Sequence, residues 1–173
     1  MLRSLVTTIC NHSSAGSLRT AAENKMQEIQ RDHSLWKIHL DLLLIADDNV
    51  VFFLSQGLAH FVWANYRLLS PDDIAYITAT VLSVLRTRRG MPHAARCKVE
   101  LILASICSLS CSLDPVLLLV VESHDPSVEI GISALRTVFE EVLSDDAKLT
   151  QDHKHALVQL VLGVNQPSLL LLL

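Results

Sequence analysis

Cys97 follows His93 by four residues, one helical turn, and this is the first spacing in the chain that could do chemistry. A thiol beside an imidazole is the start of an activated nucleophile. A working site also needs an orienting third group and oxyanion donors, and neither is evident in the sequence. Asp152, His153 and His155 cluster near the start of the last apolar segment. Two histidines two residues apart diverge on a helix and cannot chelate together, so a solvated, helix-opening turn is the simpler account. Cys107 and Cys111 share a helix face, yet two sulfurs hold a metal only with two further ligands, and none is evident. With Cys10 and Cys97, they read as small hydrophobes in a reducing compartment. There is no GxSxG, P-loop, GxGxxG or HExxH. No enzyme, metal or cofactor is expected.

Basic residues are the remaining candidates. Arg86, Arg88 and Arg89 crowd the end of one helical segment. Cations there suit the negative end of a helix dipole. They could equally meet an acidic partner surface. Nucleic acid fits poorly, because no aromatics interleave the cluster and the chain is acidic, with net charge −4 and pI ≈ 6.0.

These side chains must be positioned by a chain of 173 residues, half of them apolar and 18% charged, with 32 leucines and only five glycines and five prolines. That composition excludes disorder and collagen-like or low-complexity chains. It favours helix, because leucine keeps its rotamers there. No stretch sustains period-two alternation, so no sheet is expected.

The spacing predicts a short helix over 2–11, a polar one over 17–31, and a third capped by Ser34, with Leu35, Ile38, Leu42 and Ile45 inward. Asp47–Asp48 opens a fourth, striped by Val51, Leu54, Leu58, Phe61 and Val62. Ser70, Pro71 and Asp72–Asp73 open the clearest helix, carrying Ile74, Ile77, Val81 and Leu85 and stopping at Gly90 as C′ residue. Pro92 restarts the chain before Ala95, Val99, Ile102, Ile106 and Leu109. Asp114–Pro115 and Asp125–Pro126 open two more. The second carries Val128, Ile132, Leu135, Phe139 and Val142 on one face and Glu129, Arg136 and Glu140 on the other, where Arg136 and Glu140, one turn apart, are expected to pair weakly. A last helix, from Ser144 or Thr150 to Leu162, has Leu157, Leu160, Val161 and Val164 on one face.

The 18 residues from Asn49 to Tyr66 carry no formal charge and approach a membrane span in length. Gln56, His60 and the terminal asparagines would be costly in lipid, so a helix buried in protein is expected, without membrane insertion. The first 22 residues lack acids and include Arg3 and Arg19, faintly like a mitochondrial presequence, but Leu2, Leu5, Val6 and Ile9 have helical spacing. The expected fold is all-α: an α-solenoid, HEAT-like or armadillo-like, of about nine antiparallel helices, with two helices and a turn filling about 40 residues. Wide apolar stripes suit helices that pack on two neighbours.

"SLWKIHLDLLLIADDNVVFFLSQGLAHFV" (34–62), with Trp36, Phe53 and Leu58, begins a segment from Leu35 to Leu143 that resembles the N-terminal, exportin-type region of the importin-β superfamily, being similar to the family's Trp-containing helix and the helix after it. "LLSPDD" (68–73) is similar to its Leu-Pro-acid helix opening, and "MPHAARCKVELILASI" (91–106) to its Pro-x-x-x-Arg-x-Lys helix through Pro92, Arg96 and Lys98. "GISALRTVFEEVLS" (131–144) and "KHALVQLVLGV" (154–164) resemble later helices of the branch that carries profilin–actin. The chain departs from the family at Tyr66, where Trp is usual, and at Cys111–Ser112, in place of Trp-Pro.

The resemblance implies a nuclear transport receptor module that binds Ran-GTP together with protein cargo such as actin–profilin, shuttling between nucleus and cytoplasm. Arg96 and Lys98 are its implied contact candidates beside Arg86, Arg88 and Arg89. Each could instead pair with a neighbouring acid, and Glu100 lies on the same helix. The implied organisation is N-terminal helices over 1–33, HEAT-like repeats over 34–164, and an apolar tail over 165–173, where "PSLLLLL" suggests a truncation point. Two other readings stand beside this one: a helical-repeat scaffold without GTPase binding, and an enzyme built on Cys97 and His93.

Overall fold

Short polar signals start the helices, and the structure, a computed structural model, describes residues 1–11, 13–121, 126–143 and 150–164. Among these, the order is α1 (Leu2–Cys10), α2 (Gly16–Arg31), a 3-10 turn (His33–Leu35), α3 (Trp36–Ile45), α4 (Asp48–Asn65), a second 3-10 turn (Tyr66–Leu68), α5 (Pro71–Thr87), α6 (His93–Ser110), α7 (Asp114–Val121), α8 (Pro126–Leu143) and α9 (Gln151–Val164). The described residues contain no strand, so the chain is all-α.

The caps show why the boundaries fall where they do. Ser70 Oγ accepts from the Asp73 N–H at 3.1 Å and donates to Asp73 Oδ2 at 2.8 Å, so residue and cap satisfy each other. Asp47 Oδ1 accepts from the Val50 N–H at 3.1 Å and opens α4. Two expected signals act differently. Asp32, not Ser34, is the capping side chain: it takes both the N–H and the hydroxyl of Ser34, at 3.1 and 2.6 Å, and starts the 3-10 turn that precedes α3. Gly90 is not a left-handed stop, since no glycine has positive φ among the described residues. α5 ends at Thr87, and a turn closed by Met91 N–H to Arg88 C=O carries the chain onward. The left-handed residue is Cys111, with φ 50°, where Ser112 N–H reaches back to Cys107 C=O at 3.2 Å in a Schellman closure of α6.

The chain divides into two compact units, Met1–Ile102 and Leu103–Leu173, the division falling within α6. In the first unit α4 is the hub. It packs against α1, α2 and α3, and Lys98 of α6 reaches its Phe52 ring. A helix touched on so many sides needs apolar residues all round. Val50, Val51, Leu54, Leu58, Ala59, Phe61 and Val62 are all buried, which explains the uncharged run in sequence. No described helix is long and apolar enough to cross a membrane. α3 also packs on α5, and α1 on α2.

The α3 face differs from the expectation. Leu40 and Leu43, with His39, are buried, while Ile38 and Ile45 are 57% and 81% exposed and Leu35 and Leu42 are half-buried. α3 carries two apolar stripes, and periodicity could not choose between them. In the second unit α7 packs on α8, and α8 on α9. α8 turns Gly131, Ala134 and Val138 inward, leaving Ile132 59% exposed and Leu135 and Phe139 half-buried. The buried stripe is the one that carries Gly131 and Ala134, not the one that carries Ile132, Leu135 and Phe139. Arg136 and Glu140 do pair, at 2.7 Å, on the exposed side. The inward face expected for α9 (Leu157, Leu160, Val161, Val164), the side chains of Val128, Glu129 and Val142, and the tail 165–173 lie outside the described residues.

Candidate functional site

The five cations singled out from sequence lie on the end of α5, the following turn and the start of α6. Arg88 is the most constrained. Its Nη1 donates to the Leu43 carbonyl at 2.7 Å, near the C-terminus of α3. Its Nη2 donates to Asp48 Oδ1 at 2.6 Å, in the first turn of α4. One guanidinium thus satisfies a C-terminal carbonyl of one helix and an N-terminal carboxylate of the next, and it is 20% exposed. Arg96 faces Glu100 at 3.7 Å, one turn along α6, and the Glu100 side chain is 0% exposed. Lys98 Nζ lies 5.7 Å from the Phe52 ring centroid, a cation–π contact from α6 to α4. Arg88 and Lys98 therefore tie different elements together, while the Arg96 pair lies within α6. Arg89 is exposed, with Nε 3.4 Å from the Arg86 carbonyl, and Arg86 is half-buried.

His93 and Cys97 do meet. The sulfur is 3.6 Å from Nδ1 and 3.5 Å from Nε2. The nearly equal distances to both nitrogens place the sulfur off the lone-pair axis of either one, the axis along which a general base would accept the thiol proton. Cys107 is buried, and burial, helped by the charge of Asp114, pushes its thiol up to about 12. Among the described residues no three His, Cys, Asp or Glu side chains converge in a metal-binding group. Asp152 and His155 are exposed, and His155 Nε2 contacts Gln159 Nε2 at 3.3 Å.

Several surface features went unread in the sequence. Ile38, Leu42 and Ile45 form an open apolar ridge along α3, beside a hollow of about 640 Å³ that Met1, Leu2 and Leu42 line. The ridge is bordered by polar ties to α5. Lys37 Nζ pairs with Asp73 Oδ1 at 3.0 Å, and Tyr76 donates its hydroxyl hydrogen bond to Asp41. Ser70, then Lys37, holds the Asp73 carboxyl below its usual range, and the bond to Asp41 raises the Tyr76 phenol. Trp36 stacks on Phe61 with centroids 5.5 Å apart, and the His33 ring meets the Phe61 edge at 5.2 Å. His39, buried beneath, is held below the ordinary imidazole range by desolvation, partly offset by Asp32.

A second cleft, of about 240 Å³, opens between α2 and α4 and is lined by Gln27, Gln30, Arg31, Gln56, Gly57 and His60. Its floor is tight, because a Cβ on Gly57 would lie 3.0 to 3.3 Å from Gln30. Gln30 Nε2 also donates to the Phe53 carbonyl at 2.6 Å. The one sequence signal for this cleft was the polar composition of α2 opposite a glycine in the apolar α4.

No protein-family model matches the chain, and no curated protein matches it.

Proposed function

We propose that this chain is a protein-binding module of the importin-β superfamily, an exportin-type N-terminal region that engages Ran-GTP. On this reading its helices form an antiparallel HEAT-like solenoid. It takes part in nuclear export of protein cargo such as profilin–actin, the cargo of exportin six, and shuttles between nucleus and cytoplasm. It is not an enzyme.

The observation that carries the reading is the order in which the family-like segments stand, each at a helix or its opening. Trp36 is the first residue of α3, and Ser70–Asp73 caps and opens α5. Pro92 immediately precedes α6, whose first turns bear Arg96 and Lys98. Coupled binding of a GTPase and a cargo suits stacked helices, where small rotations per repeat add up.

Arg89, exposed on the turn after α5, is the favoured polar contact, with Arg86, Arg88, Arg96 and Lys98 as the further candidates. The α3 ridge of Ile38, Leu42 and Ile45 is the favoured apolar one. That ridge also supports the second reading, a helical scaffold that binds a protein partner without a GTPase. Pull-down with purified Ran in its two nucleotide states separates them. The first reading expects retention of the GTP form over the GDP form; equal retention, or none, leaves the scaffold.

A further inference from the structure

The cleft between α2 and α4 is built from two facing one-turn pairs, Gln27 with Arg31 on α2 and Gln56 with His60 on α4. The helices come close together at Gln30 and Gly57, and the four polar side chains line the cleft beside them. Gln30 is tied to the Phe53 carbonyl at 2.6 Å, so it serves as a fixed wall.

The chemistry of the lining is one-sided. A guanidinium, two primary amides and an imidazole can all donate hydrogen bonds, and no acid lines the cleft. The acids nearest in sequence to Arg31 are engaged elsewhere. Glu28 is held by Lys25 at 2.6 Å, and Asp32 by Ser34 at 2.6 Å. None of the ion pairs found among the described residues uses Arg31. A volume of about 240 Å³ is below that of drug-sized pockets, so the occupant is a few heavy atoms across. A planar, acceptor-only group matches the guanidinium fork, with the amides and imidazole able to close on its oxygens.

We propose that this cleft is a carboxylate-binding site, taking either a small free acid or the acidic side chain of a partner protein. The inference is independent of the transport-receptor reading, since it concerns α2 and α4 and none of the five cations discussed for Ran.

The test is an NMR titration of the isotope-labelled full chain at constant ionic strength. One arm uses succinate and a second a capped Gly-Glu-Gly peptide, with capped Gly-Gln-Gly and sulfate as controls. Saturable shifts centred on Gln27, Gln56 and His60 are expected in at least one carboxylate arm. Saturation by succinate alone assigns a free acid, and by the Glu peptide a partner side chain. Arg31→Gln should weaken binding at least tenfold, while Arg19→Gln, elsewhere on α2, should leave it unchanged. The assignment is overturned by shifts that never saturate, by an Arg31→Gln protein that binds as before, or by sulfate or the Gln peptide binding equally well. A Gln27→Ala, Gln56→Ala double variant gives an independent check: its binding should also fall, and unchanged affinity would count against the site.

Discussion

Arg88 shows how a residue that reads as a surface cation becomes a structural tie. It binds a helix-terminal carbonyl and a carboxylate, both on other elements. Arg88→Ala leaves both partners without it and should destabilise the protein by about 2 kcal/mol, as charged hydrogen bonds in partly buried settings do. Arg89→Ala, at an exposed position, should cost under about 0.5 kcal/mol. Chemical denaturation of the two variants checks the contrast. His39 supplies a pH effect. Burial depresses its folded-state pKa below 6.5, so the unfolded chain binds more protons in the window beneath that value. Stability from neutral His39 is therefore present above pH 6.5 and is lost as the pH falls through that window. The melting temperature should drop on acidification from pH 7.5 towards 5.5, and less steeply in His39→Gln. Cys107, with its thiol pushed up to about 12 and its side chain enclosed, should resist alkylation at pH 7.5 until the protein unfolds, whereas exposed Cys10 reacts at once. A Cys97 labelled no faster than Cys10 would retire the enzyme reading.

Helix packing decides matters that single residues do not. Gly57 is the contact point of α4 with α2, and its absent side chain is what lets Gln30 approach. Gly57→Ala gains about 1 kcal/mol of helix propensity. It also sets a methyl group against the Gln30 Cα and side chain, and such overpacking costs about 1–3 kcal/mol. A net loss of about 1 kcal/mol in urea unfolding is expected, together with distortion of the carboxylate cleft. The boundaries of α4, α5 and α7 were legible because Asp47, Ser70–Pro71 and Asp114–Pro115 act locally, through caps and fixed dihedrals. The faces of α3 and α8 were not. On α3 both stripes are apolar, and on α8 the buried stripe includes Gly131 and Ala134, which carry little hydrophobic signal in the sequence.

At the scale of the whole molecule, the chain is acidic, with net charge −4, and Arg88, Arg96 and Lys98 among its five candidate cations are engaged internally. Association should then lean on apolar area. If the α3 ridge is the docking surface, Ile38→Asp with Ile45→Asp should abolish capture of Ran-GTP, or of whatever protein partner the scaffold reading supplies. Circular dichroism should stay unchanged, because both side chains already face solvent. Raising salt from 50 to 500 mM should weaken that binding less than threefold, since apolar burial is not screened. A steep salt dependence would return the weight to Arg86 and Arg89.

Sequence alone determined the helical class, most helix starts, the burial of α4 and the pairing of Arg136 with Glu140, because these depend on neighbours within a turn or on total apolar content. The tertiary structure alone decided which face of α3 is buried, that Arg88 ties α3 to α4, and that Gln27, Arg31, Gln56 and His60 share one cleft. Each of those depends on groups brought together from different helices, whose separation along the chain leaves no local pattern to read.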